Sequence, residues 1–133
     1  MGVFSGKFKC SNATETALKI KWAVVNILNP KLKTPLKVGI GIDFGKVMIT
    51  KVGKGRDENN NDLVWIGQSC NYASHLSGYG ANSTIITEKT YKRINKDSKL
   101  SDKGEDMWTR TDLTLKNEKK IVVYVSKFGW VIN

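Results

Sequence analysis

The chain has 133 residues, 40% of them apolar, which supports one domain with a single core. Its 22 basic and 12 acidic side chains give a net charge of +10, which favours anionic partners without choosing between nucleotide phosphates and nucleic acid. No apolar run approaches membrane-spanning length, the N-terminus lacks the basic-then-apolar pattern of a signal peptide, and Cys10 and Cys70 lie far apart without metal-ligand spacing. The expectation is a soluble, cytoplasmic protein with free thiols.

In chain order, Asn12 and Glu15 form a possible capping box. Ala17, Ile20, Val24 and Ile27 or Leu28 then continue at helical spacing until Asn29-Pro30 stops the helix. Val38, Ile40, Ile42 and Phe44 alternate with Gly39, Gly41 and Asp43, which predicts a strand whose glycine side lets another element pack closely. Phe44-Gly45-Lys46 turns into a second strand through Val47, Met48 and Ile49. The loop with Lys51, Lys54 and Arg56 is the densest basic cluster in this region. It lacks the Gly-x4-Gly-Lys-Ser/Thr of a phosphate-binding loop and reads as a polar connection into Asn59-Asn60-Asn61-Asp62.

Leu63, Val64, Trp65 and Ile66 form a short apolar run suited to a buried strand, Gly67 permits a turn, and Ser69 is the expected N-cap of a two-turn helix. Thr87 or Thr90 starts a short helix containing Tyr91 and Ile94. Met107 to Leu115 and Ile121 to Val125 read as two strands around Lys116-Asn117-Glu118-Lys119-Lys120. Strands and helices mixed at this spacing indicate an α+β fold, an α/β sandwich.

Asn71 and His75 are four apart, so they share a face of the helix after Gly67, near its N-terminal end. Two polar side chains beside unsatisfied amides and a positive helix dipole can meet an anionic ligand. The alternative is that the pair is surface decoration.

The segment Ile66-Gly67 followed by Asn71-Tyr72-Ala73-Ser74-His75-Leu76 resembles the strand-turn-helix of the class III nucleotidyl cyclases, the adenylate and guanylate cyclase catalytic domain. That motif runs from an apolar strand through Gly to Asn and then Ala-x-Arg-Leu. Val38-Gly39-Ile40-Gly41-Ile42-Asp43-Phe44-Gly45-Lys46-Val47 resembles the family's earlier "GIGI-x-x-G-x-V" strand, and Ser83 to Tyr91 resembles its later strand, Ser/Thr-Glu and Tyr segment. Each motif alone is weak; three in the same order are fairly specific.

The resemblance implies a mixed sheet of ferredoxin-like type. It also implies an activity: closing a nucleoside triphosphate to a 3′,5′-cyclic nucleotide and pyrophosphate with two Mn2+ or Mg2+ ions, at sites shared between two antiparallel subunits of a homodimer. Carried over by position, Asn71 is the ribose-positioning Asn and His75 stands where the family has a phosphate-stabilising Arg. Lys116 matches a lysine that contacts the terminal phosphate, and Val64 stands where many adenylate cyclases select the base with Asp or Thr. Together with the Phe128-Gly129-Trp130 tail, the wording resembles the small bacterial cyclases of Pycsar antiviral defence, which make cyclic UMP or cyclic CMP.

Three departures accompany this. His75 cannot make the bidentate fork of Arg, and its other reading is a structural helix histidine. Val64 cannot hydrogen-bond an adenine amino group. Met1 to Gly6 resembles the segment just after the family's Gly-Asp hairpin, so both metal-binding aspartates are expected upstream of Met1 and no metal ligand within the chain. Residues 1–133 therefore read as a single, N-terminally incomplete cyclase domain lacking its first strand and hairpin start, as a fragment, a mis-started enzyme or a degenerate partner. Asp43, Asp57, Glu58 and Asp62 do not replace the missing pair. Asp43 sits beside a turn, where Asp usually satisfies backbone amides, and the others lie in a polar loop. Two alternatives remain: a catalytically degenerate dimerisation or nucleotide-binding module, and a basic nucleic-acid-binding domain. The latter rests only on the charge and four Trp, and the lack of an interleaved aromatic-basic motif argues against it.

Overall fold

The computed structural model of the chain describes residues 2–46, 48–53, 61–80 and 82–132, and for 48–53, 61–66 and 70 it describes the backbone alone. In chain order the elements are α1 (Lys9–Ala23), β1 (Gly39–Ile42), β2 (Met48–Gly53), β3 (Asn61–Ile66), α2 (Gln68–Ser77), β4 (Ser83–Thr87), α3 (Glu88–Tyr91), α4 (Lys96–Lys99), β5 (Thr109–Thr114) and β6 (Lys120–Ser126). A π turn, Val24–Leu28, and a 3-10 turn, Asn29–Lys31, carry the helical path past the expected stop at Asn29-Pro30: Pro30 sits early in the 3-10 turn, where its missing N–H is tolerated, and the path ends where Leu32 turns extended.

The sheet is mixed, with strand order β1-β4-β6-β5; β1 runs parallel to β4 and the other pairs are antiparallel. A separate antiparallel ribbon joins β2 to β3, from Met48 opposite Ile66 to Gly53 opposite Asn61. The α+β class expected from the sequence is the observed one.

Register sorts the core into two faces. Ile42, Ile86 and Tyr124 are consecutive cross-strand partners and pack with Cys10 and Leu18 of α1 and with Ile94 and Trp108. One residue earlier on β4, Ile85 points the other way and packs with Leu76 of α2 and Val123. Covered on both faces, β4 is buried at all five positions, which is why Ser83-Thr-Ile-Ile-Thr87 carries no charge. The aromatic tail expected at the C-terminus packs on α1: the Trp130 N–H donates to the Leu18 carbonyl at 3.0 Å.

Two cap expectations are corrected. Helix α1 starts at Lys9 with Phe8 at its N-cap and no side-chain cap, so Asn12 and Glu15 lie inside it. The Glu15 carboxylate instead accepts from the buried Ser98 hydroxyl at 3.2 Å, a tertiary partner outcompeting the local box. Helix α2 is capped by Gly67, and Ser69 is buried within its first turn, against Gly45. A further short helix, α4, comes after α3 where the sequence pattern predicts none. The Asn95 side chain accepts from the Ser98 N–H and caps it.

Candidate functional site

Helix α2 reaches the sheet over a glycine track. A Cβ at Gly39 or Gly41 would overlap the carbonyl oxygens of Ser77 and Ala73, so only glycine lets the helix backbone approach this closely. Leu76 is driven fully into the core, which turns the opposite helix face outward. Asn71 and His75 are exposed on that face. Exposure places His75 outside the core. Asn71 lies in the first turn of α2, but His75 lies in the last. The positive helix terminus therefore acts on a ligand near Asn71 only, and His75 contributes through its own side chain.

Facing this helix is the turn between β5 and β6. Buried Leu115 anchors it, with Leu115 N–H donating to the Lys119 carbonyl at 2.8 Å and Glu118 N–H to the Leu115 carbonyl at 2.9 Å. Glu118 adopts φ 66°, closing the turn so that Lys116 and Asn117 stand at its tip. A cavity of about 260 Å³ lies between helix and turn, lined by Gln68, Asn71, Tyr72, His75, Lys116 and Asn117 among others. Three of the four site residues expected from the sequence thus meet in one space. The fourth, Val64, lies in β3, where only the backbone is described.

Two cationic side chains, His75 when protonated and Lys116, join the three amides of Gln68, Asn71 and Asn117 and the hydroxyls of Tyr72 and Tyr79 around this space. Among the described residues neither cation forms an ion pair; the ion pairs are Lys92 with Glu88 and Arg110 with Asp112. Such a cavity can accept phosphate oxygens through its cations and sugar hydroxyls through its amides. Gln68, Tyr72, Tyr79 and Asn117 also line the cavity, and none of them was expected as a site residue from the sequence, although Tyr72 lies within the motif that carries Asn71 and His75. The helical spacing 68, 72, 75 was available as a signal for Gln68 and Tyr72, whereas Tyr79 lies in the turn after the helix.

A second cavity, of about 290 Å³, lies between α1 and β1 and is lined largely by apolar groups such as Ala17, Ile20, Ile42 and Phe44, with Asp43 at its wall. The Asp43 Oδ1 accepts from the Thr87 hydroxyl at 2.6 Å, so among the described residues its partner is a side chain and not the backbone amide expected beside a turn. Cys10 is buried beside this space, and burial pushes its thiol upward from the usual range, while Lys9 and Arg93 pull the other way. Lys54, Arg56, Asp57 and Glu58 lie outside the described residues. Among the described residues no group of three or more His, Cys, Asp or Glu could hold a metal ion. They do not fit the Mg2+ or Mn2+ that class III cyclases use. No described helix is long and apolar enough to cross a membrane.

The uridylate cyclase of Xanthomonas perforans is 36% identical over 140 residues, an alignment covering 100% of this chain and 58% of that protein. The uridylate cyclase of Burkholderia cepacia is 32% identical over 138 residues, covering 99% and 57%. The chain therefore spans somewhat more than half the length of these relatives. The fold matches the crystal structure of the guanylyl cyclase Cya2, with TM-score 0.71 and 16% identity over 95% of this chain and 61% of that one. It also matches the guanylate cyclase domain of RhGC from Catenaria anguillulae in complex with GTP, with TM-score 0.70 and 18% identity over 95% and 63%. The sequence profile of the adenylate and guanylate cyclase catalytic domain matches residues 3–127. With the glycine track, the Asn71 helix and the mixed sheet all in that order, the chain belongs to the adenylate and guanylate cyclase catalytic domain family.

Proposed function

We propose that the cavity between α2 and the β5–β6 turn is the nucleotide-gripping half of a nucleotidyl cyclase site. The enzyme would convert a pyrimidine nucleoside triphosphate to cyclic UMP or cyclic CMP and pyrophosphate, as a signal in antiviral defence. The observation that carries this is the convergence of Asn71, His75 and Lys116 on one cavity from two elements about forty residues apart in sequence. Whole-chain similarity to uridylate cyclases supports the pyrimidine.

In the reaction the ribose O3′ bonds to the α-phosphorus, the α–β bridging bond breaks, pyrophosphate leaves and the O3′ proton passes to solvent. Asn71 orients the ribose, so that O3′ is held in line with the leaving group. Protonated His75 offsets negative charge as it builds on the phosphates, more weakly than an Arg fork would. Lys116, at the far side of the cavity, holds the terminal phosphate. Val64 leaves the base position without a side-chain hydrogen bond, consistent with a base other than adenine. A second copy in a homodimer would complete each site.

Incubation of the full-length gene product, with any upstream segment that supplies metal ligands, with each of the four nucleoside triphosphates and Mn2+, followed by chromatography for cyclic products, tests the reading. The expected product is cyclic UMP or cyclic CMP, and Asn71→Ala lowers its rate about 100-fold at unchanged thermal midpoint. Turnover of Asn71→Ala equal to the parent would refute the assigned role. No cyclic nucleotide from the parent would leave the cavity as a nucleotide-binding module.

A further inference from the structure

Lys116 sits at the tip of a two-stranded turn, where the backbone is free to swing unless something ties it down. One tie is Tyr79, in the turn after α2. Its ring is half-buried against the cluster of Leu76, Ile85 and Val123, so the sheet and helix fix its position. Its hydroxyl accepts a hydrogen bond from the Lys116 backbone N–H at 3.1 Å. A second tie comes from Tyr72, whose hydroxyl accepts from the Lys119 ammonium at 2.8 Å while that ammonium lies 5.5 Å from the ring centroid. The turn is pinned at its return arm to the helix that carries Asn71 and His75, and at its tip to the turn that ends that helix.

We infer that Tyr79 is a positioning residue that sets the span between Lys116 and the Asn71–His75 face, and so tunes the cavity for a triphosphate. The inference rests on the proposed function. Without the Tyr79 hydroxyl the Lys116 N–H turns to water, the tip relaxes, and the ammonium no longer waits where the terminal phosphate falls. The Tyr79 ring stays, so the core and the Asn71 face are undisturbed. Selectivity should therefore be lost for the distal phosphates and kept for the part of the ligand near Asn71.

Calorimetric titration of the chain with UTP and with UMP, for the parent, Tyr79→Phe, Lys116→Ala and the double variant, tests this. Tyr79→Phe should weaken UTP about threefold to tenfold, the worth of one hydrogen bond, and leave UMP unchanged. Lys116→Ala should show the same pattern, and the double variant should bind UTP no more weakly than Lys116→Ala alone, since both changes remove one interaction. Equal loss for UTP and UMP, or losses that add, would assign Tyr79 a merely structural role and overturn the inference. If Lys116→Ala weakens UTP selectively and Tyr79→Phe does not, the inference alone falls. If the parent does not bind UTP, or Lys116→Ala binds it like the parent, the proposed role of the cavity falls and takes the inference with it.

Discussion

Gly41 of β1 lies directly beneath Ala73 of α2, with no room for a side chain between strand and helix: a Cβ there would come within 2.7 Å of the Leu76 Cβ and the Ser77 nitrogen. This contact sets the height of α2 above the sheet and hence the width of the cavity on its other side.

Gly41→Ala should accordingly cost about 1–3 kcal/mol, the range for overpacking a closed contact, because α2 must lift to admit the methyl group. Gly78→Ala is the matched control. Its nearest new neighbour would be the His75 carbonyl oxygen at 3.4 Å, an ordinary contact, and φ is −85°. Its expected effect is within about 0.5 kcal/mol. Equilibrium urea unfolding of both variants measures the difference, and equal midpoints would show that the helix does not rest on Gly41.

Lys21 is buried at 6% exposure, with its ammonium donating to the Lys127 carbonyl. Burial, and then the nearby Lys127 charge, pull its pKa below the ordinary 10.5. The folded state thus binds this proton less tightly than the unfolded state. The cost of holding the charge is full below the folded pKa and fades as pH rises through that value toward 10.5. Relative to Lys21→Met, which has no such titration, the parent should gain stability across that window. Thermal midpoints from neutral pH to the lysine range measure it; a parent that loses ground to Lys21→Met as pH rises would reverse the sign.

The Asn95 side chain holds the start of α4, accepting from the Ser98 N–H at 2.9 Å and, at 2.8 Å, sharing with Glu15 the one proton of the Ser98 hydroxyl, with Ser98 fully buried. Asn95→Ala should cost about 1 kcal/mol by leaving the cap unmade, and Asn95→Ser should keep most of it, because a serine oxygen can accept at the same position. Chemical denaturation checks the pair. Equal losses in both would place the contribution of Asn95 elsewhere than in its cap.

Much of the fold was legible because its strands carry local patterns. The glycine alternation of β1 announced a close approach, and α2 occupies it; Asn71 and His75 were placed together by helical spacing alone. Lys116 is different. Nothing in the residues near it says which helix the turn will face, and its tie to Tyr79 spans 37 positions. Only the family resemblance brought Lys116 into view, and only the assembled sheet brings it beside α2. The misread start of α1 has the same cause. Asn12 and Glu15 have the spacing of a local cap, but Ser11 accepts from the Asn95 N–H at 2.8 Å and Glu15 turns to Ser98, so contacts from a distant segment decide the geometry.

A nitrogen–proton NMR titration of the chain with UTP bears most directly on the nucleotide-gripping role of the α2 cavity. The largest backbone shifts are expected on Gln68, Asn71, His75, Lys116 and Asn117, on both walls of one cavity. Shifts confined to the apolar cavity around Ile20, Ile42 and Phe44, or no shifts at saturating UTP, would contradict it.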